Sequence, residues 1–313
     1  MPVTILEAPR AAERARELRA AVHSVMAVDA AVLDQLLIGI LARGHALIEG
    51  IPGIGKTLLA RTLSRLLGLE FRRIQFTNDL MPSDIVGASV WRPGAGEFEF
   101  IPGPLFTSLV LADEVNRTSP RTLSCLLEAM ENGRVSVDGN EHVLADPFIV
   151  LATRNPIEFH GTYPIPEAAL DRFLVRVTLD YPDLDRELAL YRGDDPESRL
   201  QQLQPVFTRD ELMSAMAAVD EVTLSEPVTS YAYRVVSATR RHDAVTLGAS
   251  PRAAMAWLRA ARSRAYLDGR SFVLPDDLKA LAVPVLAHRV FLNGGGDASE
   301  LLAGVLETCP VDL

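Results

Sequence analysis

The sequence predicts an α/β fold, a parallel sheet covered by helices on both faces, followed by a smaller all-α domain. Three observations predict it. Between His45 and Leu179, short and mostly apolar strands alternate with helical segments, the pattern of a sheet buried on both sides. Acidic residues emerge at the tip of one such strand, "SLVLAD" (108–113), and ligand sites in open α/β sheets lie at that edge. Beyond "YPDLDRE" (181–187) strand signals nearly vanish, and Ala/Leu/Arg segments such as "SPRAAMAWLRAARSRAYLDG" take over. The expected boundary falls near Tyr181-Pro182, dividing 1–182 from 183–313.

Residues 10–42 read as mostly helical and lead to a short strand, "HALIE" (45–49), that ends at Gly50. A helix follows from about Thr57 to Leu67. Leu59, Leu63, Leu66 and Leu67 line one side, and Gly68 stands at its C-terminal end. "FRRIQF" (71–76) and "SLVLAD" are the second and third strands. The next helix is well marked: Ser119 as N-cap, Pro120 as first residue, apolar Leu123, Leu126, Leu127 and Met130, and Gly133 to close it. "RVSVDGNEHVL" (134–144) alternates around Asp138-Gly139 and predicts a hairpin. "FIVLAT" (148–153) and "LVRVTL" (174–179) complete the strands. Just before the last, "IPEAALDRF" predicts a helix that starts at Pro166 and buries Leu170 and Phe173. Arg172, near its end, either caps the helix C-terminus or reaches for a phosphate.

Composition narrows the function. The 313 residues are 48% hydrophobic, ample for a core and about two domains. A formal charge of −10 disfavours long runs of nucleic-acid backbone as the main partner. The two cysteines, Cys125 and Cys309, are far apart and form no CxxC pair, which argues against a disulfide framework or zinc site. The N-terminal stretch is broken by charges and has no secretory h-region. The most apolar segment, "VLDQLLIGILA", is too short and too polar to span a bilayer. The expectation is a soluble cytoplasmic protein.

"GIPGIGKT" (50–57) matches GxxxxGK[ST] directly between a strand and a helix, the context that motif requires. Gly50, Pro52, Gly53, Ile54, Gly55, Lys56, Thr57 and Leu58 are therefore the candidate cradle for a nucleoside triphosphate. Backbone N–H groups close around phosphate oxygens and the following helix offers its positive end. Lys56 is expected on the β- and γ-phosphates and the Thr57 hydroxyl on Mg²⁺. Asp113 is the expected partner of Mg²⁺, and Glu114 is placed to polarise an attacking water. Asn155, at the tip of "LATRNP", either orients that water or forms an Asn-Pro turn.

The set "GIPGIGKT", "DLMPSDIVG", "GEFEFIPGPLF", "LVLADEVNR", "LLEAMENGRVSV", "ATRNPIEFHGTYPIPEAALDRF" and "SPRA", in this order, resembles the MoxR family of AAA+ ATPases from about residue 20 to 292. The resemblance implies an αβα sandwich with a five-stranded parallel sheet and a helical lid, ATP and Mg²⁺ as ligands, and a ring, expected to be a hexamer. It implies two inserted hairpins, at about 88–104 and 134–145, facing a central pore. It carries Asn155 over as sensor 1, Arg252 as sensor 2, closing the lid on bound nucleotide, and Arg172 as an arginine finger acting on the neighbour's ATP. Arg117 is either a second such contact or a local one. Val25 and Met26 stand where base contacts are expected. The clients implied are partner proteins to be remodelled or matured, including a separate protein with a von Willebrand factor A domain, since this chain has no DxSxS motif.

The sequence departs from the family pattern at Val28-Asp29, Asn78, Arg154 and "FHG" (159–161), none of them a residue expected to do chemistry. The six histidines form no metal-like pair and read as structural or exposed. Trp257 reads as lid core, and Trp91 as either a client contact or local packing. Rival readings are a DNA-directed or chelatase-type motor and a nucleotide-gated scaffold with negligible turnover.

Overall fold

The computed structural model describes residues 7–155 and 163–311. Two long helices come first, α1 (Ala8–Val25) and α2 (Ala30–Leu41). Strand β1 (His45–Glu49) then feeds helix α3 (Lys56–Leu66), and β2 (Phe71–Gln75) leads to the short α4 (Pro82–Val86). Next come a hairpin, β3 (Gly87–Arg92) with β4 (Glu97–Pro102), then β5 (Leu109–Asp113) and α5 (Pro120–Asn132). A second hairpin, β6 (Arg134–Val137) with β7 (Asn140–Val143), precedes β8 (Ile149–Arg154). A single helical turn, α6 (Glu167–Leu170), and β9 (Phe173–Thr178) follow.

Five of these strands form one sheet in the order β2-β5-β8-β1-β9, every pairing parallel. Successive residues point to opposite faces, and both faces are apolar. Ala46, Ile48, Leu109, Leu111, Ile149, Leu151, Val175 and Val177 pack on one side with α1, α2 and α3. Leu47, Ile74, Val110, Ala112, Val150, Ala152 and Phe173 pack on the other with α5. The parallel sheet covered on both faces, expected from the alternation of strands and helices, and the five-stranded αβα sandwich that the resemblance implies are both observed.

Local signals set the element ends. Ser119 accepts from the Thr122 N–H at 3.3 Å and starts α5, and Gly133 closes it in the left-handed region. Asp138 and Gly139, both with positive φ, turn the second hairpin. The first hairpin is pinched at its base by two glycines. A Cβ on Gly87 would lie 2.2 Å from the Ile101 carbonyl oxygen, and one on Gly103 would lie 2.5 Å from the Gly87 nitrogen. One expectation is corrected: Pro166 is the N-cap of a single turn rather than the first residue of a longer helix, and Phe173 is the first residue of β9.

The rest of the chain is helical: α7 (Leu184–Tyr191), α8 (Pro196–Gln202), α9 (Arg209–Asp220), α10 (Glu226–Arg241), α11 (Pro251–Leu267), α12 (Pro275–Leu286) and α13 (Ser299–Thr308). A minimal antiparallel pair, β10 (Val245–Leu247) with β11 (Phe291–Leu292), interrupts it, too short to leave a pattern in the sequence. Trp257 is fully buried and donates its indole N–H to the Leu278 carbonyl at 2.9 Å. The helical core is continuous with the α1–α2 side of the sheet. Arg289 and His288 lock it there. Arg289 donates to the Asp171 and Phe173 carbonyls, both at 2.9 Å, and pairs with the Asp171 carboxylate at 3.1 Å. His288 Nε2 donates to the same Phe173 carbonyl at 2.8 Å.

Buried His45 does a similar job under the sheet. Its Nε2 donates to the Met130 carbonyl at 3.0 Å and its Nδ1 accepts the Val150 N–H at 3.1 Å, tying the end of α5 to β8. Both bonds require the neutral ring. Burial pushes its pKa down from 6.5 to about 4, and burial also drives His288 well below its ordinary value. The unfolded chain protonates near 6.5 while the folded chain does not. Neither histidine therefore costs stability above that pH, and a penalty grows as pH falls through 6.5 and levels off only at the folded pKa. For His45 the loss by pH 4 is on the order of 3 kcal/mol. Chemical denaturation at pH 8 and pH 5 should show it. His45→Gln should be less stable at pH 8 yet lose less stability on acidification.

Candidate active site at two edges of the sheet

The C-terminal edge of the sheet gathers the triphosphate motif. After Glu49 the chain turns through Gly53 (φ 81°) and Gly55 (φ 97°), backbone conformations that side chains with a Cβ rarely adopt. Gly55 caps α3, so the backbone N–H groups of that helix start point into the loop. Lys56 Nζ lies across it, donating to the Gly50 and Ile51 carbonyls at 2.6 and 2.9 Å. Thr57 is the second residue of α3, while Leu58 packs against the core.

Asp113 ends β5 and is buried. Its Oδ1 accepts the Thr153 hydroxyl at 2.5 Å, and its Oδ2 is clasped by Arg73 through Nε (3.0 Å) and Nη2 (2.6 Å). Glu114 follows in the left-handed region, φ 59°, and donates its backbone N–H to Thr153 Oγ1 at 2.9 Å. Its carboxylate accepts from Gln75 at 2.8 Å and faces Arg117 at 3.5 Å, a local contact for that arginine. Asn155 is buried just past β8. Arg154, beside it, pairs with Glu49 at 2.6 Å and ties this strand end to the loop.

These residues fit Mg²⁺. The donor set is a threonine hydroxyl and a buried carboxylate, hard oxygen ligands, and that carboxylate already holds a cation, the Arg73 guanidinium. Beside the loop lies a cavity of about 580 Å³ of mixed lining: Met26, Val28, Val32 and Ile54 offer an apolar wall to a flat base, and Asp29, Asp180, Asp183 and Arg186 make the rest polar. Met26 lines it and packs on Gly55. Val25 does not, because its side chain is buried in the α1 core.

Arg172 and Arg252 lie elsewhere. Arg172 immediately precedes β9, so it belongs to the N-terminal edge. Its Nη1 donates to the Ala168 carbonyl and its Nη2 to Glu131 Oε2 at 2.8 Å. Arg252 donates to the other oxygen of Glu131. Arg43, just before β1, and Arg289 line the same cavity of about 440 Å³. The loop and this cluster are separated by the length of β1, roughly 15 Å. Arg252, at the start of α11, therefore stands on the other edge of the sheet from the loop.

Known proteins match along most of the chain. Residues 45–175 match the family model described as "ATPase family associated with various cellular activities (AAA)", and 237–301 match that of the AAA lid domain. The uncharacterized protein YeaC of Bacillus subtilis is 45% identical over 265 residues, covering 85% of this chain and 82% of the relative. Chaperone MoxR1 of Mycobacterium tuberculosis is 38% identical, covering 86% of this chain and 74% of the relative. Protein MoxR of Paracoccus denitrificans is 33% identical, covering 90% and 89%. The chain belongs to the MoxR family of AAA+ ATPases. A crystal structure from Cytophaga hutchinsonii, described as an ATPase, superimposes with a TM-score of 0.89 at 35% identity, covering 98% of this chain and 97% of that one.

Several residues that complete this MoxR site escaped the sequence reading. Arg73 and Gln75 stand two apart on β2, on one face, and hold Asp113 and Glu114. The signal was the polar alternation inside "FRRIQF". Thr153 serves both acidic residues at once, and its only trace was a threonine ending an apolar strand. Glu131 left no local trace. Thr153→Val keeps the shape but strips the partner from a buried carboxylate oxygen and from a backbone N–H. It should lower folding stability by about 1–3 kcal/mol in urea denaturation, with ATP turnover falling alongside.

Proposed function

We propose that this MoxR-family ATPase assembles head to tail into a closed ring, with Mg²⁺-ATP held between neighbours. One copy supplies Lys56 and the loop backbone for the phosphates, and Thr57 and Asp113 for the metal. Glu114 then acts on the attacking water, with Asn155 orienting it. The next copy supplies Arg172 and Arg252. The observation that carries this reading is the placement of the two arginines. They converge on one carboxylate at the edge of the sheet opposite the loop, too far from the chain's own nucleotide, yet exposed enough to meet another. A site split between two different surfaces of one protomer defines a heterologous interface, and rotation that closes it gives a ring. A hexamer is the proposed count.

When bound, Mg²⁺ would neutralise charge on the phosphates. Glu114 is well placed for its part. It sits at the strand tip with its carboxylate held by Gln75 and Arg117, and its backbone is fixed by Thr153. Guanidinium groups from a neighbour would stabilise charge developing on the transferred phosphoryl group, so hydrolysis depends on assembly.

The work done is proposed to be remodelling of partner proteins, a co-chaperone with a von Willebrand factor A domain among them. The β3–β4 hairpin supports a protein client over a nucleic acid. It exposes Val90, Trp91, Phe98 and Ile101, with Trp91 edge-on to Phe98 at 5.1 Å, and its one arginine in the strands, Arg92, is paired with Glu99. Among the described residues no helix is long and apolar enough to cross a membrane. Residence in the cytoplasm is the proposed location.

Glu114→Gln should reduce steady-state ATP turnover by about 10²–10⁴-fold while nucleotide still binds. Equal turnover would remove Glu114 from the chemistry. Arg172→Ala and Lys56→Ala subunits should each be nearly inactive alone and regain turnover when mixed, because some interfaces then pair an intact loop with an intact arginine. A mixture no more active than its parts would refute the shared site.

A further inference from the structure

Glu131 lies one residue before the end of α5, away from both phosphate and metal ligands, yet it holds the two proposed trans arginines together. They come from different parts of the chain, Arg172 from the turn before β9 and Arg252 from the start of α11. Brought close without a counter-charge, two guanidiniums repel. Arg43, Arg259 and buried Arg289 line the same cavity but have their own partners in Asp146, Asp220 and Asp171, and Glu131 and Asp171 are the carboxylates lining it. Asp171 is already committed to Arg289, so Glu131 alone serves the pair. Each of its oxygens takes one arginine, Oε1 from Arg252 and Oε2 from Arg172, which sets both guanidiniums within the width of one carboxylate. Those two hydrogen bonds, Arg252 first, hold the Glu131 carboxyl below the usual carboxylate range. The group is ionised at neutral pH.

The backbone beneath Glu131 is rigid. The Met130 carbonyl, adjacent in sequence, accepts from His45, and Gly133 receives the Leu144 N–H at 2.9 Å. Arg172 is steadied on its other side by the Ala168 carbonyl, and its neighbours Asp171 and Phe173 are gripped by Arg289. A carboxylate on a fixed helix end, bridging two cations from two domains, is a positioning element.

We infer that Glu131 is the positioning residue of the trans half-site, aligning Arg172 and Arg252 as one unit for the γ-phosphate held by the neighbouring copy. This rests on the shared-site reading above. Glu131 stands at the arginine cluster, on the edge of the sheet opposite the phosphate loop. Its loss therefore leaves ATP binding by the protomer's own loop intact and weakens the arginines that the protomer lends out.

The experiment uses full-length Glu131→Gln and Glu131→Asp, each checked by thermal melting, in ATP turnover and nucleotide-binding assays. Glu131→Gln is expected to lower kcat about tenfold to a hundredfold, the scale of a small misplacement of catalytic groups, with KM and nucleotide Kd little changed. Glu131→Asp, which keeps the charge, should recover part of the loss. Mixing decides the assignment. Glu131→Gln subunits have intact loops, and Lys56→Ala subunits have an intact arginine pair with its Glu131, so the mixture should regain turnover. If the Arg172→Ala mixture recovers and the Glu131→Gln mixture does not, Glu131 acts on its own protomer's site and the inference fails alone. If neither recovers, the shared site itself is wrong. Unchanged or raised kcat in Glu131→Gln would also overturn the inference, the latter showing that the carboxylate masks the arginines.

Discussion

The structure turns on one clasp, the Arg289 guanidinium and the His288 imidazole closing on the backbone at Asp171–Phe173. Two carbonyls at the start of an edge strand need hydrogen-bond partners, and a buried guanidinium needs acceptors and a counter-charge. Arg289 Nη2 serves both carbonyls, Nη1 donates to the Val285 carbonyl at 3.0 Å, and the Asp171 carboxylate lies 3.1 Å from Nε. The price of that solution is sensitivity, since burial lowers the Arg289 pKa to about 10 and leaves the Asp171 carboxylate as its one close counter-charge. The gain is geometric. The helical domain is fixed to the sheet at the segment that carries Arg172, so any movement of the helices is felt there.

The same logic explains why the two halves of the site lie at opposite edges. Parallel strands release their loops at the C-terminal edge, where the helix start after β1 and the acidic tip of β5 converge. The helical domain docks on the α1–α2 side and reaches the other edge, where α11 begins. The start of α11 and the phosphate loop therefore stand at different edges of the sheet, the separation on which the proposed sharing between protomers rests. The two hairpins meet as well. His142 of β7 stacks on Phe100 of β4, centroids 3.7 Å apart.

Legibility in the sequence followed the range of the interaction. The loop glycines, the Ser119 cap, the Asp138-Gly139 turn and the apolar strands are local, and each was readable from a few consecutive residues. Boundaries slipped by a residue or two where a strand continued past its apolar run, as at Phe173 and Arg154. The Arg252–Glu131 contact spans 121 positions and the Arg172–Glu131 contact 41, so no window of sequence contains either pair. The resemblance supplied Arg252 but not its surroundings, and the pairing with Glu131 came only with the structure. Arg154 is the converse case. It looked like an unexplained departure from the family, and its pairing with Glu49 gives it a structural purpose.

Charge arrangement at the acidic tip adds a last step. Asp113 and Glu114 are adjacent carboxylates, and each needs its own hydrogen-bond partners where the fold withdraws it from water. The fold answers from β2. Arg73 neutralises Asp113, and Gln75 donates to Glu114 without adding charge, while accepting from Arg73 at 2.5 Å. The result is a chain of contacts from cation to amide to carboxylate along one strand face. Under the proposed function, this strand face links the two acidic residues through Arg73 and Gln75.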